Sequence, residues 1–161
     1  MCSTLDREGD FLEGGTYLSR LVVRPHAMYE TILVATDGSD PASRAVDYAT
    51  DLASTFDADL HGISVVDTYR YGDSMLSGDR TMVDELRDRA ESVLEDLEDR
   101  TDREVTTELR RGRPHAEIGD YAAAIDADLV VLGNRGLGAG SEIGSSAERL
   151  VRSVDRPVLT A

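Results

Sequence analysis

The chain has 161 residues, enough for one domain with a substantial core. All 17 basic residues are arginine, and 20 Asp with 12 Glu bring the net charge to −15, a sign that argues against nucleic acid and anionic membrane as partners. No apolar run approaches the ~18 residues of a membrane span, no basic-then-apolar leader opens the chain, and the single Cys2 has no partner for an internal disulfide, so a cytoplasmic location is expected. Dense carboxylation without lysine points to a halophilic protein, since at about 1 M salt the screening length falls to about 3 Å and self-repulsion is quenched.

Residues 1–27 carry mixed charge around Gly14–Gly15 and Pro25. They are expected to be a poorly ordered extension or a misread upstream start, with the domain beginning at Met28. Ile32–Ala35 has the apolar run of a buried strand and exits through Asp37–Gly38–Ser39–Asp40. Asp40 as N-cap with Pro41 at the first helical position predicts a helix, and Ala45, Val46, Ala49, Leu52, Ala53 and Phe56 continue it at helical spacing. Leu60–Val66 reads as a second strand. A loop is expected from Asp67 to Gly78, with Gly72, Ser74 and Ser77 inside it. Val83, Leu86, Ala90, Val93, Leu94 and Leu97 mark a second helix with an acidic outer face. Val105–Leu109 alternates as a third strand, and Arg113–Pro114 opens a third helix carrying Ile118, Tyr121, Ala122 and Ile125. Leu129–Leu132 is a fourth strand. Ala147, Leu150, Val151 and Val154 form the face of a fourth helix, and Pro157–Thr160 is a short fifth strand.

Strands alternating with helices, with no internal repeat after Met28, predict an α/β domain with a parallel sheet covered on both faces. In such sheets ligands sit at the carboxyl ends of strands where the strand order reverses. The turn at Asp37 and the loop after Leu132 are therefore the candidate site. That loop holds five glycines, Gly133, Gly136, Gly138, Gly140 and Gly144. Ser145, with Glu148 three residues on, has the pattern of a capping box for the following helix. Strand, glycine loop and helix start in this order suit an anion, because glycines allow close backbone approach and the helix start offers donors and a positive dipole end. The plainer alternative is a connecting loop whose glycines only serve sharp turns. A dinucleotide-binding oxidoreductase would carry its glycine fingerprint after the first strand instead. His26, His61 and His115 do not cluster at metal-ligand spacing, and His115 reads as a surface residue of helix three.

Four segments together resemble the universal stress protein family: Ala35–Thr36–Asp37–Gly38–Ser39, Gly112–Arg113–Pro114, Ala127–Asp128–Leu129–Val130–Val131–Leu132–Gly133–Asn134–Arg135–Gly136, and Arg156–Pro157–Val158–Leu159. The resemblance covers Met28 to Ala161. It implies a five-stranded parallel doubly wound sheet of order 3-2-1-4-5 with four helices (adenine nucleotide alpha hydrolase-like) and a homodimer paired through the last strand. For one branch it also implies binding of ATP or another adenine nucleotide, with Mg²⁺ as a companion. That branch has Gly-x-x-Gly, nine residues, then Gly followed by Ser or Thr. Here Gly133 and Gly136 match, but only seven residues separate Gly136 from Gly144. Carried over, Ala35 and Val65 line an adenosine pocket, Asp37 holds adenine or ribose, and Gly133, Gly136, Gly144, Ser145 and Ser146 surround the phosphates; Leu132, which ends the strand, and Arg135, the only cation in the loop, complete the candidate binding set.

Each assignment has a plainer counterpart. Asp37 binds ribose or helps hold Mg²⁺, or it closes an Asx-turn. Ser145 donates to a phosphate or caps its helix. Arg135 offsets phosphate charge or pairs with a surface carboxylate. An adenine-nucleotide-binding stress-response regulator with at most slow ATP hydrolysis is the reading that results. The alternative is a dimeric protein-interaction module of the same fold without nucleotide, and in both cases the protein clients are unspecified.

Overall fold

A computed structural model of the chain describes residues 28–70, 80–135 and 143–161. The expectations for residues 1–27, for the loop around Gly72–Gly78 and for Gly136, Gly138 and Gly140 lie outside the described residues. The elements are β1 (Thr31–Ala35), α1 (Asp40–Phe56), β2 (Asp59–Asp67), α2 (Arg80–Asp99), β3 (Val105–Gly112), α3 (Pro114–Ala124), β4 (Leu129–Leu132), α4 (Ser145–Ser153) and β5 (Val158–Thr160). All strand pairs are parallel and the order is β3-β2-β1-β4-β5. Among the described residues no helix is long and apolar enough to cross a membrane.

The central position of β1 follows from its composition. Ile32, Leu33 and Val34 are fully buried, as a strand packed on both faces requires. Successive side chains point to opposite faces, which divides the core in two. Ile32, Val34, Leu129 and Val131 pack with Ala45, Val46, Ala49 and Ala53 of α1 and Leu97 of α2. Leu33, Ala35, Val130 and Leu132 pack with Ile118, Tyr121 and Ala122 of α3 and Ala147 and Leu150 of α4. Asp128 ties the amino ends of the central strands, its Oδ2 accepting from the N–H groups of Glu30 at 2.8 Å and Thr31 at 2.9 Å.

Several local expectations are corrected. The N-cap of α1 is Ser39, not Asp40: Ser39 is extended (φ −74°, ψ 162°) and its Oγ accepts from Ala42 N at 3.3 Å. Asp40 instead occupies the first turn, where its carboxylate still faces the positive end of the helix dipole. At α4 the N-cap is Gly144 and no side chain caps the helix, so Ser145 and Glu148 do not form the expected box. Val151 is half-exposed rather than part of the packed face, because this nine-residue helix presents only Ala147 and Leu150 as fully buried residues. β3 runs on to Gly112, beyond the alternating stretch that ended at Leu109.

Candidate functional site

The carboxyl ends of β1, β2 and β4 open into a crevice of about 610 Å³, within the range of about 300–1,000 Å³ typical of small-molecule sites. Its position is dictated by topology. The chain leaves β1 toward β2 on one side and returns to β4 on the other, so the strand order reverses at β1 and the connections diverge there. Ala35, Ile63 and Leu132 line its base, Val65, Ile118 and Ala147 one wall, and Val66, Ala90 and Val93 the other.

The β1–α1 turn is built by its own polar groups. Thr36 N donates to Ile63 O at 3.0 Å, extending the β1–β2 ladder by one residue. Gly38 takes φ +78°, which favours glycine, and a Cβ there would lie 2.8 Å from Val93 Cγ2. Asp37 Oδ1 accepts from Ser39 N at 3.0 Å, the Asx-turn anticipated as its plainer role. Its carboxylate also lines the crevice, so the turn and the crevice share one side chain.

On the other side, Gly133 leaves β4 pressed against the start of α1. A Cβ on Gly133 would meet Ala42 N and Pro41 C, each at 2.7 Å. Glycine is therefore demanded here by protein packing, a constraint separate from any ligand. Asn134 N donates to Ala161 O at 2.7 Å, and Gly144 N donates back to Asn134 O at 2.8 Å. These bonds pin the two ends of the glycine loop together, and they deliver the start of α4 to the crevice. Neither α3, whose N-cap is Arg113, nor α4 has a side-chain cap. The first N–H groups of a helix lack intrahelical partners, and Gly144, Ser145 and Ser146 line the crevice at that point.

Nine of the ten sequence-predicted residues thus converge: Ala35, Asp37, Val65, Leu132, Gly133, Arg135, Gly144, Ser145 and Ser146 all line one crevice. The tenth, Gly136, lies outside the described residues. Of the basic rim, the sequence reading named Arg135 alone. Among the described residues, Arg70, Arg89, Arg113, Arg135 and Arg149 line the crevice together with two carboxylates, Asp37 and Asp67. In a chain of net charge −15 this is a local reversal of sign, one that attracts anions. These arginines come from separate stretches of sequence and no spacing links them. His115, expected at the surface, also lines the crevice and is half-buried. At the end of β2, Asp67 Oδ1 accepts from the N–H groups of Tyr69 and Arg70, both at 3.1 Å, fixing the turn that carries them. The Arg113 guanidinium lies 4.4 Å above the Tyr69 ring centre, a favourable cation–π contact.

Away from the crevice, His61 Nδ1 and the Tyr121 hydroxyl are 3.1 Å apart. Burial holds the His61 pKa below its ordinary value, opposed by Asp59. Burial also raises Tyr121, with Glu108 adding to the shift and Arg110 opposing it. Among the described residues no group of three or more His, Cys, Asp or Glu side chains gathers at metal-binding distances.

Residues 28–161 match the model of the universal stress protein family. A universal stress protein of Methanocaldococcus jannaschii is 30% identical over 149 residues, which span 88% of this chain and 87% of that protein. The structure of universal stress protein UspA from Lactobacillus plantarum superposes with a TM-score of 0.71 at 27% identity, over 82% of this chain and 97% of that one. A universal stress protein solved in complex with cAMP superposes with a TM-score of 0.65 at 27% identity, over 83% and 97% of the two chains. The chain belongs to the universal stress protein family.

Proposed function

We propose that the crevice binds an adenine nucleotide and that the protein acts as a dimeric stress-response regulator, with ATP hydrolysis slow at most. The observation that carries this reading is the reversal of charge: an acidic chain gathers five arginines around an apolar-based crevice that the start of α4 also faces. The apolar residues Ala35, Val65 and Leu132 suit a base and sugar, and Gly144, Ser145 and Ser146 with Arg135 suit phosphate oxygens. A family relative of known structure holds cAMP, an adenine nucleotide, which supports the same class of ligand here. Mg²⁺, if it accompanies a triphosphate, has Asp37 at hand on the crevice wall. Pairing of two copies through β5, the edge strand next to β4, completes the reading.

The test is calorimetric titration of ATP, ADP and AMP in molar KCl with Mg²⁺, for the wild type and Ser146→Glu. An acid in the first turn suits the helix dipole, so folding is spared, while its charge opposes phosphate. Binding is expected in the wild type and should fall at least tenfold, about 1.4 kcal/mol, in the variant. If the wild type binds none of the three below millimolar, the protein is an interaction module without nucleotide. Equal binding by Ser146→Glu places the ligand elsewhere.

A further inference from the structure

The basic rim is wider than one phosphate group needs. The sheet order β3-β2-β1-β4-β5 sets the start of α4 and Arg135 on the β4 side of β1. Arg70, which follows β2, and Arg113, which follows β3, stand on the opposite side. From β3 to β4 is three strand spacings, about 14 Å. A 5′-nucleotide with its phosphates at the start of α4 turns its base and ribose toward β2, so Arg70 and Arg113 face the nucleoside end. Nothing on a simple nucleoside there calls for two cations. The backbone N–H of Arg70 donates to Asp67 Oδ1 at 3.1 Å, which fixes the turn from which its side chain lines the crevice. Arg113 is the N-cap of α3 and rests on the Tyr69 ring at 4.4 Å.

We propose that Arg70 and Arg113 form a second anion subsite, and that the preferred ligand is an adenine nucleotide with a further phosphate on its ribose, separate from the 5′-phosphate. The inference rests on the nucleotide reading above and refines it. Arginine suits the task because its planar fork meets two phosphate oxygens at once. The stack on Tyr69 holds that fork in place before the ligand arrives, reducing the ordering cost of binding. Both side chains are exposed at the rim, so replacing them leaves the core untouched.

The experiment compares AMP with adenosine 3′,5′-bisphosphate by calorimetry in molar KCl, using the wild type and the double variant Arg70→Gln/Arg113→Gln, with thermal unfolding confirming that both are folded. The wild type should bind the bisphosphate about tenfold more tightly than AMP, the gain of one charge-assisted contact under strong screening. The double variant should lose that preference, its AMP affinity falling clearly less than its bisphosphate affinity. Equal affinity of the wild type for the two ligands overturns the second subsite and leaves the nucleotide reading standing. A preference retained in the double variant, or AMP binding that weakens as much as bisphosphate binding, also overturns it. If neither ligand binds the wild type, both readings fall together.

Discussion

Gly133→Ala tests whether packing, apart from any ligand, requires the first glycine of the loop. The added Cβ would stand 2.7 Å from both Ala42 N and Pro41 C, and 2.9 Å from Pro41 Cβ. Carbon contacts relax only at about 3.5–4.0 Å, so the β4 exit and the α1 start must separate by about 0.8 Å or more. Neither side yields easily. The Pro41 ring fixes its own φ, Ala42 is buried, and its N–H is held by the Ser39 Oγ at 3.3 Å. On the other side Val131 and Leu132 are buried in two different cores. Overpacking of this kind costs about 1–3 kcal/mol, and for a chain of this size about 2 kcal/mol lowers the melting temperature by about 4–8 °C. Urea unfolding without nucleotide, in molar KCl and followed by circular dichroism, measures the loss. The midpoint should fall with the slope unchanged. An unchanged midpoint would refute the contact and return Gly133 to a purely ligand-facing role.

The other predictions concern the cap, the half-buried His61, the sheet edge and the charge. Ser39→Ala should cost about 1 kcal/mol in the same assay and Asp40→Ala clearly less; equal losses would mean that Ser39 is not the cap. Because the folded-state pKa of His61 is lowered by burial, the unfolded chain binds the proton first. Stability should therefore be full above the ordinary histidine value of about 6.5 and decline as pH falls below it; His61→Gln should flatten that decline, and an identical pH profile in the variant would exclude His61 as its source. The dimer proposed through β5 should sediment at twice the 17.5 kDa chain mass, and Leu159→Arg, at an exposed position of that edge strand, should give the monomer; a wild type that sediments as a monomer ends that proposal. With a net charge of −15, dialysis from molar to low KCl should unfold the chain, and equal stability in both would rule out the halophilic reading.

Local pattern determined the element order. Ile32–Ala35 was legible as a buried strand from its short length and the Asp37–Gly38 turn after it, and the 3.6-residue recurrence from Ala45 to Phe56 as a helix with one apolar side, because that spacing puts those residues on one helix face. Pattern also located the candidate crevice to within two loops, since strand exits in a parallel sheet lie on one edge. The finer choices needed the folded chain. Ser39 and Asp40 are both good N-caps ahead of Pro41, and the deciding factor was which residue became extended as β1 turned into α1. Gly133 was legible as a loop glycine, whereas its contact with Pro41 and Ala42 joins residues about ninety positions apart. The basic rim, apart from Arg135, was hidden for the same reason. Arg70, Arg89, Arg113, Arg135 and Arg149 share no common period, and only the meeting of strand ends and helix starts at one edge of the sheet brings their charges to a single crevice.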